Sequence, residues 1–228
     1  MNRFIRFFVY KIKWLHSISV IKYLYYNYFC KNIHREEKSF LIPYNGAVID
    51  IHRTSKIYIS GGNLQIGANR FRNSRAETRI RMGRNAKWRC NNGCIMNYGS
   101  TIEVNEGGSF SNDFVYINTG SVILADNNIR LGNDIWIGRN CHIYDSDFHS
   151  MLYEDGSVRN HPRPVTIGDH VWVTNNVMIL KGVTIEGNNV ISPYTVVKRD
   201  VPFGAAVSNG TQQAITSDHV IWSKKKPD

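Results

Sequence analysis

The sequence predicts an all-β protein, a parallel β-helix of hexapeptide repeats, on the strength of two spacings. Aliphatic residues recur every six positions in the C-terminal half, at Ile167, Val173, Ile179, Ile185, Ile191 and Val197. A second series, mostly valine, lies four residues after the first, at Val171, Val177, Val183, Thr195 and Val201. A period of six fits neither a helix nor a plain strand. It fits a coil with three flat faces, in which each coil buries itself by stacking on the next.

The same spacing, with shifts of register, extends toward the N-terminus. It is found at Leu131, Ile137 and Ile143, at Ile117, Ile123 and Ile129, and at Met82, Trp88 and Cys94. Small and polar residues follow the repeats, as in Leu131-Gly132-Asn133-Asp134 and Ile167-Gly168-Asp169-His170. Gly and Asn tolerate the positive φ of tight corners. Spacing alone leaves the handedness open, and the general rule for parallel crossovers favours a right-handed coil.

The first 41 residues lack this repeat and predict a short amphipathic helical segment. Apolar residues recur three or four apart among Lys and Arg, at Phe4, Phe7, Phe8, Leu15, Ile18, Ile21 and Tyr25. Such a segment either contacts a membrane surface or packs on the protein or a neighbouring subunit. Its uncharged runs are too short to cross a membrane, and no signal-peptide cleavage pattern follows. We therefore expect a cytoplasmic protein, with peripheral contact at the inner membrane face as one use of this segment.

Three regions follow from these patterns: the helical segment 1–41, a β-helix domain 42–205 and a C-terminal tail 206–228. The formal net charge of +10 attracts anions in general, but no nucleic-acid recognition motif accompanies it. The sequence therefore gives no indication of a nucleic-acid partner. None of the four cysteines forms a CxxC pair, and Cys94 and Cys141 fall on repeat positions, which indicates buried free thiols.

Residues 144–164 interrupt the repeat. A coil of fixed size cannot absorb about twenty extra residues, so this segment must project from a corner. Long loops on a regular scaffold are typical sites of function. The insertion contains Asp145-Ser146-Asp147-Phe148-His149, which makes it the first candidate for a site.

The region from Leu131 to Pro202, about seventy residues, resembles the hexapeptide-repeat acyltransferases, in particular the sugar and polysaccharide O-acetyltransferases. The matching motifs are Ile135-Trp136-Ile137-Gly138, the Asp145–His149 loop, Arg163–Trp172, Ile179–Ile185 and Val196–Pro202. The resemblance implies a left-handed prism, a homotrimer with active sites between adjacent prisms, and acetyl-CoA as acyl donor. No metal is required for that chemistry.

In that family one loop histidine acts as the general base, and the matching residue here is His149. A sugar hydroxyl is a poor nucleophile, and an imidazole can take its proton as it attacks a thioester. The resemblance also implies backbone donors for the oxyanion, at the corner formed by Thr174 and Asn175. The alternative for His149 is a solvated loop histidine without a function.

The remaining candidates come from the same resemblance. Asp145 and Asp147 would orient the imidazole or bind the acceptor sugar, or else only cap the loop through Asx turns. Asn118 would contact the acceptor, or else belong to a corner ladder of asparagines. The donor-binding positions that match the family are Trp172, Ser192 and Pro193 along the pantetheine arm, and Lys198 and Arg199 near the nucleotide phosphates.

The chain departs from the family at its corners. Val173-Thr174-Asn175-Asn176 and Ile191-Ser192-Pro193-Tyr194-Thr195 replace the smaller residues that are frequent there, which could narrow the channel for the donor. Three other functions share the architecture: an N-acetyltransferase of a nucleotide-linked aminosugar, a γ-class carbonic anhydrase, and a non-catalytic scaffold or membrane-binding module. The histidine spacing does not match the carbonic anhydrase pattern, and a scaffold leaves the His149 loop unexplained.

Overall fold

A computed structural model describes residues 17–36 and 38–209, and the backbone of residues 213–217. The chain winds into a three-faced parallel β-helix, as the sequence predicts, and the third face is a seven-stranded parallel sheet. The first face holds β1 (Ile33–Arg35), β4 (Lys56–Ile59), β7 (Lys87–Cys90), β10 (Ser109–Asn112), β13 (Asn128–Leu131) and the first halves of β16 (Val165–Val173) and β18 (Thr184–Ile191).

The second face holds β2 (Leu41–Pro43), β5 (Leu64–Ala68), β8 (Cys94–Asn97), β11 (Val115–Ile117), β14 (Ile135–Ile137), the second halves of β16 and β18, and β20 (Ala206–Asn209). The third face holds β3 (Ala47–Ile51), β6 (Thr78–Met82), β9 (Thr101–Val104), β12 (Val122–Ala125), β15 (His142–Tyr144), β17 (Met178–Ile179) and β19 (Val196–Val197). The last strand, β21 (Gln213–Ser217), pairs antiparallel with β20.

The predicted six-residue series form the core. Each residue of the series from Ile167 to Val197 is at most 1% exposed, and those of the valine series are equally buried. Parallel pairing places equivalent residues of successive coils directly above one another. On the third face, the successive partners are Ile80, Ile102, Ile123 and Ile143. Because each such side chain contributes about 1.5–3 kcal/mol by burial, truncating one to alanine would cost about 2–5 kcal/mol.

Corners between the second and third faces are short. Most coils turn there in three or four residues, and one residue of each turn has a positive φ: Gly46, Gly99, Gly120, Asn140, Asn176 and Tyr194. The exception is the segment 69–77, which takes nine residues to join β5 to β6. This second insertion was not anticipated from the sequence, where residues 144–164 were the only interruption identified.

Within the described residues, helical structure ends at Phe29, before the boundary at residue 41 that the sequence suggests. Helix α1 (Val20–Leu24) continues into a π-helical turn, Tyr25–Phe29, and β1 already pairs with β4 from Ile33. The β-helix thus begins before residue 42, and β20 extends it beyond residue 205. Residues 1–16 lie outside the described part of the chain. No helix in the described residues is long and apolar enough to span a membrane.

Polar side chains from the helical segment cover the first coil. The Asn27 amide donates to the Leu41 carbonyl and accepts from the Leu41 N–H, at 2.8 and 2.9 Å. Lys22 Nζ donates to the Ala47 carbonyl at 2.5 Å, and the Tyr26 hydroxyl to the Ile49 carbonyl at 3.0 Å. These carbonyls line the edge of the first coil, so the segment satisfies acceptors that no preceding strand could reach.

Candidate active site

The projecting loop leaves the prism after β15 and returns at β16. Its two ends meet, because the Arg163 N–H donates to the Asp145 carbonyl at 2.9 Å. Its tip is a small hairpin, in which Leu152 and Val158 form an antiparallel bridge. The loop is therefore closed at its base and at its tip, and the segment between them carries His149.

Asp145 occupies a position that is apolar in the coils below it. Register aligns it with Met82, Val104 and Ala125, and its side chain is completely buried. Its two carboxylate oxygens accept the N–H groups of Asp126 and Asn127 at 2.7 and 2.9 Å. Burial raises the pKa of this carboxyl above its ordinary value, and the hydrogen bonds partly oppose that rise. The geometry is that of a buried anchor at the base of the loop, and the contact with His149 or the acceptor considered from sequence stays a prediction.

His149 is exposed, and its imidazole makes no hydrogen bond with any described residue. Its backbone is held instead: its N–H donates to the Asp147 carbonyl at 2.8 Å, and its carbonyl accepts from Asn160 at 2.9 Å. The preceding residue, Phe148, has a φ of +61°, which is uncommon for a bulky residue. Its ring packs edge-on against Tyr144, with 5.6 Å between centroids. The ring of His149 is thus left unengaged on a backbone fixed from both sides.

Asp147, Asn160 and Lys181 form a polar clamp across the loop. Asp147 Oδ2 accepts from Asn160 Nδ2 at 2.8 Å and from Lys181 Nζ at 2.5 Å. The same Lys181 ammonium donates to the Asn160 carbonyl at 3.1 Å, and only 14% of its side chain is exposed. The hydrogen bonds from Lys181 and Asn160 hold the pKa of Asp147 below its ordinary value. This clamp ties the loop to the corner after β17.

Asn118 belongs to a ladder of amides at the corner between the second and third faces. Its Oδ1 accepts from Asn97 Nδ2 at 3.1 Å and from the Thr119 N–H at 2.9 Å. Asn97 in turn accepts from Asn69 Nδ2 at 2.8 Å and donates to the Tyr116 hydroxyl at 2.8 Å. The asparagine ladder considered from sequence is therefore present, and it leaves the half-buried Asn118 able to meet a ligand.

Two coils further on, the same corner holds the predicted oxyanion donors. The Thr174 N–H is already used, because it donates to the Ile191 carbonyl at 3.1 Å, and the Asn176 N–H donates to the Arg139 carbonyl. Asn175 is exposed, and its N–H has no partner in the described residues, while its side-chain oxygen accepts from the Arg139 N–H at 2.8 Å. Asn175 is thus the residue of this corner with a main-chain donor to offer.

The other donor-binding candidates line the C-terminal coils. Trp172 is 43% exposed on the second face, one coil beyond Trp136, whose ring stacks on Tyr116 at 4.8 Å. The Ser192 N–H donates to the Val207 carbonyl, and Pro193 has no N–H, so neither main chain offers a donor here. Lys198 and Arg199 are exposed and can meet an anion.

Within a single chain, the candidate general base and the candidate acceptor and oxyanion residues lie at different corners of the prism. The His149 loop leaves from the corner between the third and first faces, whereas Asn118, Thr174 and Asn175 lie at the corner between the second and third. The third face separates these two corners, and its strand β12, which has four residues, is about 13 Å long. Lys181 and Asn160 were not foreseen as parts of the site, because Asn160 lies in an aperiodic loop and Lys181 occupies an ordinary repeat turn.

The chain resembles several curated proteins in sequence, and no protein-family model matches it. It is 32% identical over 107 residues to the galactoside O-acetyltransferase of Escherichia coli K12, covering 46% of this chain and 48% of the relative. It is 38% identical over 92 residues to nodulation protein L of Rhizobium meliloti, covering 40% and 50%. It is 31% identical over 110 residues to the polysialic acid O-acetyltransferase of Escherichia coli O1:K1, covering 47% and 36%.

The chain therefore spans about half the length of the first curated relatives it matches. A solved structure of the polySia specific acetyltransferase NeuO superposes with a TM-score of 0.61 at 20% identity, over 87% of this chain and 92% of that one. This likeness defines the class of fold: the chain is a left-handed parallel β-helix of hexapeptide repeats, so the general crossover rule does not hold here. Within that class, its sequence relatives include a galactoside O-acetyltransferase and a polysialic acid O-acetyltransferase, which confirms the resemblance seen in the motifs.

Proposed function

We propose that this protein is an acetyl-CoA-dependent O-acetyltransferase that acts on a sugar hydroxyl of a polysaccharide or glycan precursor. One observation carries the proposal: the exposed His149 ring, unengaged within the described chain, lies on a loop whose backbone is fixed by Asn160 and Asp147. The relatives support it, since they include galactoside and polysialic acid O-acetyltransferases.

His149 acts as the general base in a direct transfer. Its imidazole takes the proton of the acceptor hydroxyl as the hydroxyl oxygen attacks the thioester carbonyl of acetyl-CoA. The C–O bond forms, and the carbonyl oxygen becomes an oxyanion. When the tetrahedral species collapses, the C–S bond breaks and the imidazolium returns its proton to the leaving thiolate. The products are the acetyl ester of the sugar and the free thiol of CoA.

The chain has groups that suit both the oxyanion and the donor. The Asn175 N–H is a rigid main-chain donor at a tight corner, which is the kind of group that stabilises an oxyanion without reorganising. Trp172 offers an exposed apolar surface near that corner, and Lys198 and Arg199 are exposed cations suited to phosphate groups. Asp145 serves as the buried anchor of the loop, and its contact with the acceptor or with His149 stays a prediction.

The separation of the two corners favours a homotrimer in which the loop of one copy faces the Asn175 corner of the next. The loop carries exposed apolar side chains, Met151, Leu152 and Tyr153, each more than half exposed in the isolated chain. Burying them between copies would remove an apolar surface from water. Light scattering on a sizing column should give a mass of three chains, and a monomer at micromolar concentration would contradict the shared site.

The helical segment suggests peripheral membrane contact of a cytoplasmic protein. Ile21 and Phe29 are 84% and 73% exposed, and the exposed Lys31 lies two residues after Phe29. An amphipathic segment of this kind binds anionic lipid by burying its apolar side chains in the membrane and by the attraction of its basic side chains to the lipid headgroups. In liposome flotation, the double variant Ile21→Ser/Phe29→Ser should lose binding while Phe203→Ser, which alters an equally exposed ring elsewhere, keeps it. Equal flotation of all three proteins would remove this part of the proposal.

The catalytic assignment is tested by His149→Ala against His161→Ala, a matched exposed histidine of the same loop. Release of free thiol from acetyl-CoA is measured with a panel of sugars and glycans, corrected for hydrolysis. We expect a loss of at least about a hundredfold in kcat for the first variant, and little change for the second. Acetyl-CoA binding should survive in both. Full turnover by His149→Ala would refute the role of the base, and faster transfer to an aminosugar would favour N-acetylation.

A further inference from the structure

The second insertion, residues 69–77, projects from the same corner as Asn118, at a position where other coils turn in three or four residues. Its sequence, Asn-Arg-Phe-Arg-Asn-Ser-Arg-Ala-Glu, contains three arginines and one acidic residue. Glu77 is already paired with Arg79, at 2.8 Å. The repeat architecture does not need this segment, and it brings an excess of positive charge to one corner.

A cavity of about 690 Å³ lies between this insertion and the second face. Its lining includes Arg70, Phe71 and Arg72 from the insertion, and Gln65 and Tyr116 from the strands. The Arg70 guanidinium is used structurally, because it donates to the backbone carbonyls of Asn45 and Ser74. Arg72 is exposed and makes no hydrogen bond or ion pair with the described residues. It is therefore the cation of this cavity that is available to a ligand.

The amide ladder connects this cavity to Asn118. Asn69 lines the cavity and donates to Asn97, which donates to Asn118 on the next coil. Neighbouring coils are about 4.8 Å apart, so the Asn69 and Asn118 levels are separated by about 10 Å. Asn97 is buried and its amide is fully hydrogen-bonded, so the groups that can meet sugar hydroxyls are those of the exposed Asn69 and the half-buried Asn118. The ladder is therefore a polar track whose two ends, at the cavity and at the candidate acceptor position, are open to a ligand.

Aromatic rings border the track. Phe71 is 64% exposed, and its ring centroid lies 5.2 Å from that of Tyr98. Tyr116 stacks on Trp136 with ring planes 22° apart, and both are half-buried. Flat apolar surfaces beside a few placed polar groups are the usual composition of a pocket for a small polar ring. Together with Arg72, this composition matches a sugar that carries a negative charge.

We propose that this cavity is an acceptor subsite for an anionic sugar residue, and that Arg72 binds its carboxylate or phosphate. The inference rests on the proposed function, because it assigns the cavity to the acceptor of that reaction. Arg72 selects the acceptor by its charge, while Asn69 and Asn118, at the two ends of the ladder, hydrogen-bond the neighbouring sugars. The reacting hydroxyl then belongs to a residue one or two units away from the charged one.

Binding is measured by calorimetry without acetyl-CoA, which separates this test from catalysis. Trigalacturonate and α-2,8-linked trisialic acid are each compared with their methyl esters, and mannose 6-phosphate with mannose. We expect the protein to favour the charged member of at least one pair by about tenfold, the effect of one charge-assisted hydrogen bond at a half-open site. The pair that discriminates tells carboxylate from phosphate.

The preference should disappear in Arg72→Gln and remain in Arg130→Gln, which removes an equally exposed arginine from β13 on the first face. Both changes are at exposed positions, so both proteins should fold. Equal affinity within every pair, or a preference that survives in Arg72→Gln, would overturn the subsite. Acetyl transfer without any charge preference would retain the proposed function and reject the subsite. Charge-selective binding without transfer to any glycan would retain the cavity as a site for anionic sugars and reject the proposed function.

Discussion

The clamp across the projecting loop predicts that Lys181 controls how firmly His149 is held. In Lys181→Met the stem of the side chain is kept and the ammonium is lost, together with its hydrogen bonds to Asp147 at 2.5 Å and to the Asn160 carbonyl at 3.1 Å. A hydrogen bond to a charged group contributes about 1.5–3 kcal/mol when buried. Asp147 is 44% exposed, so solvent screening lowers the value of this pair.

We therefore expect the loop to open more easily by about 1.4 kcal/mol, which is tenfold in the opening equilibrium. Hydrogen exchange measures this directly, because the N–H groups of Met151, Arg159 and Arg163 are hydrogen-bonded only while the loop is closed. Their exchange should accelerate about tenfold, whereas exchange on the β12 strand should not change. Lys181→Arg should restore most of the protection.

The kinetic signature follows from the same reasoning. A base that spends less time in position lowers kcat, while the KM for acetyl-CoA should hardly change because Lys181 does not belong to the donor-binding set. Unchanged exchange of the loop amides in Lys181→Met would refute the clamp. Faster exchange with undiminished kcat would show that the clamp is only structural.

Three further predictions concern single groups. Asp145→Asn puts an NH₂ group opposite corner N–H donors in a fully buried position and should cost about 1–3 kcal/mol in urea unfolding, whereas the exposed Glu154→Gln should cost nothing measurable; equal stability of the two would contradict the anchor. Tyr194→Asn should raise the free energy of unfolding by about 1 kcal/mol, because Tyr194 has a φ of +60°, which asparagine adopts more readily, and its 73% exposed ring loses little packing. An unchanged midpoint of urea unfolding would mean that contacts of the tyrosine ring offset the backbone strain. The pKa of Asp147 is lowered in the folded loop, so the clamp stabilises the loop above the ordinary carboxyl pKa of 3.8 and is lost as the pH falls through the lowered value. Because the activity of pepsin itself varies with pH, cleavage of the loop is compared with cleavage in Lys181→Met at each pH. The wild-type loop should be cut more slowly than the variant loop at the higher pH and equally fast at the lower pH, and a constant ratio of the two rates would argue against the clamp.

The fold could be predicted from sequence because one side chain in each short repeat must be aliphatic. Ile123 and Ile179 lie in different coils, yet each fills the same position on the third face, and the six-residue spacing reports that directly. The position of the His149 loop was equally visible, since it breaks the spacing. The handedness of the coil was not visible in the spacing, because a left-handed and a right-handed coil bury the same residues. It was inferred only from likeness to known proteins.

The finer parts of the site escaped prediction for physical reasons. Asp145 stands where the coils below have an apolar core residue, so in the sequence it only interrupts the repeat. Its role becomes visible in the structure, where its carboxylate accepts two backbone N–H groups of the preceding coil. The insertion 69–77 is half the length of the other and falls between weak repeats, so the sequence gives it no boundary. Lys181 and Asn160 are twenty-one residues apart, and only folding brings the ammonium to the carbonyl.

The side chains that cover the first coil have a consequence for assembly. A stack of parallel strands exposes an unsatisfied row of main-chain groups at each end, and another copy could continue the ladder there. Lys22, Tyr26 and Asn27 occupy three of those carbonyls, and at the opposite end β21 runs antiparallel against β20, which breaks the pattern that a further coil would need. These contacts make both ends of the described β-helix poor templates for a further coil, which disfavours end-to-end growth into a filament.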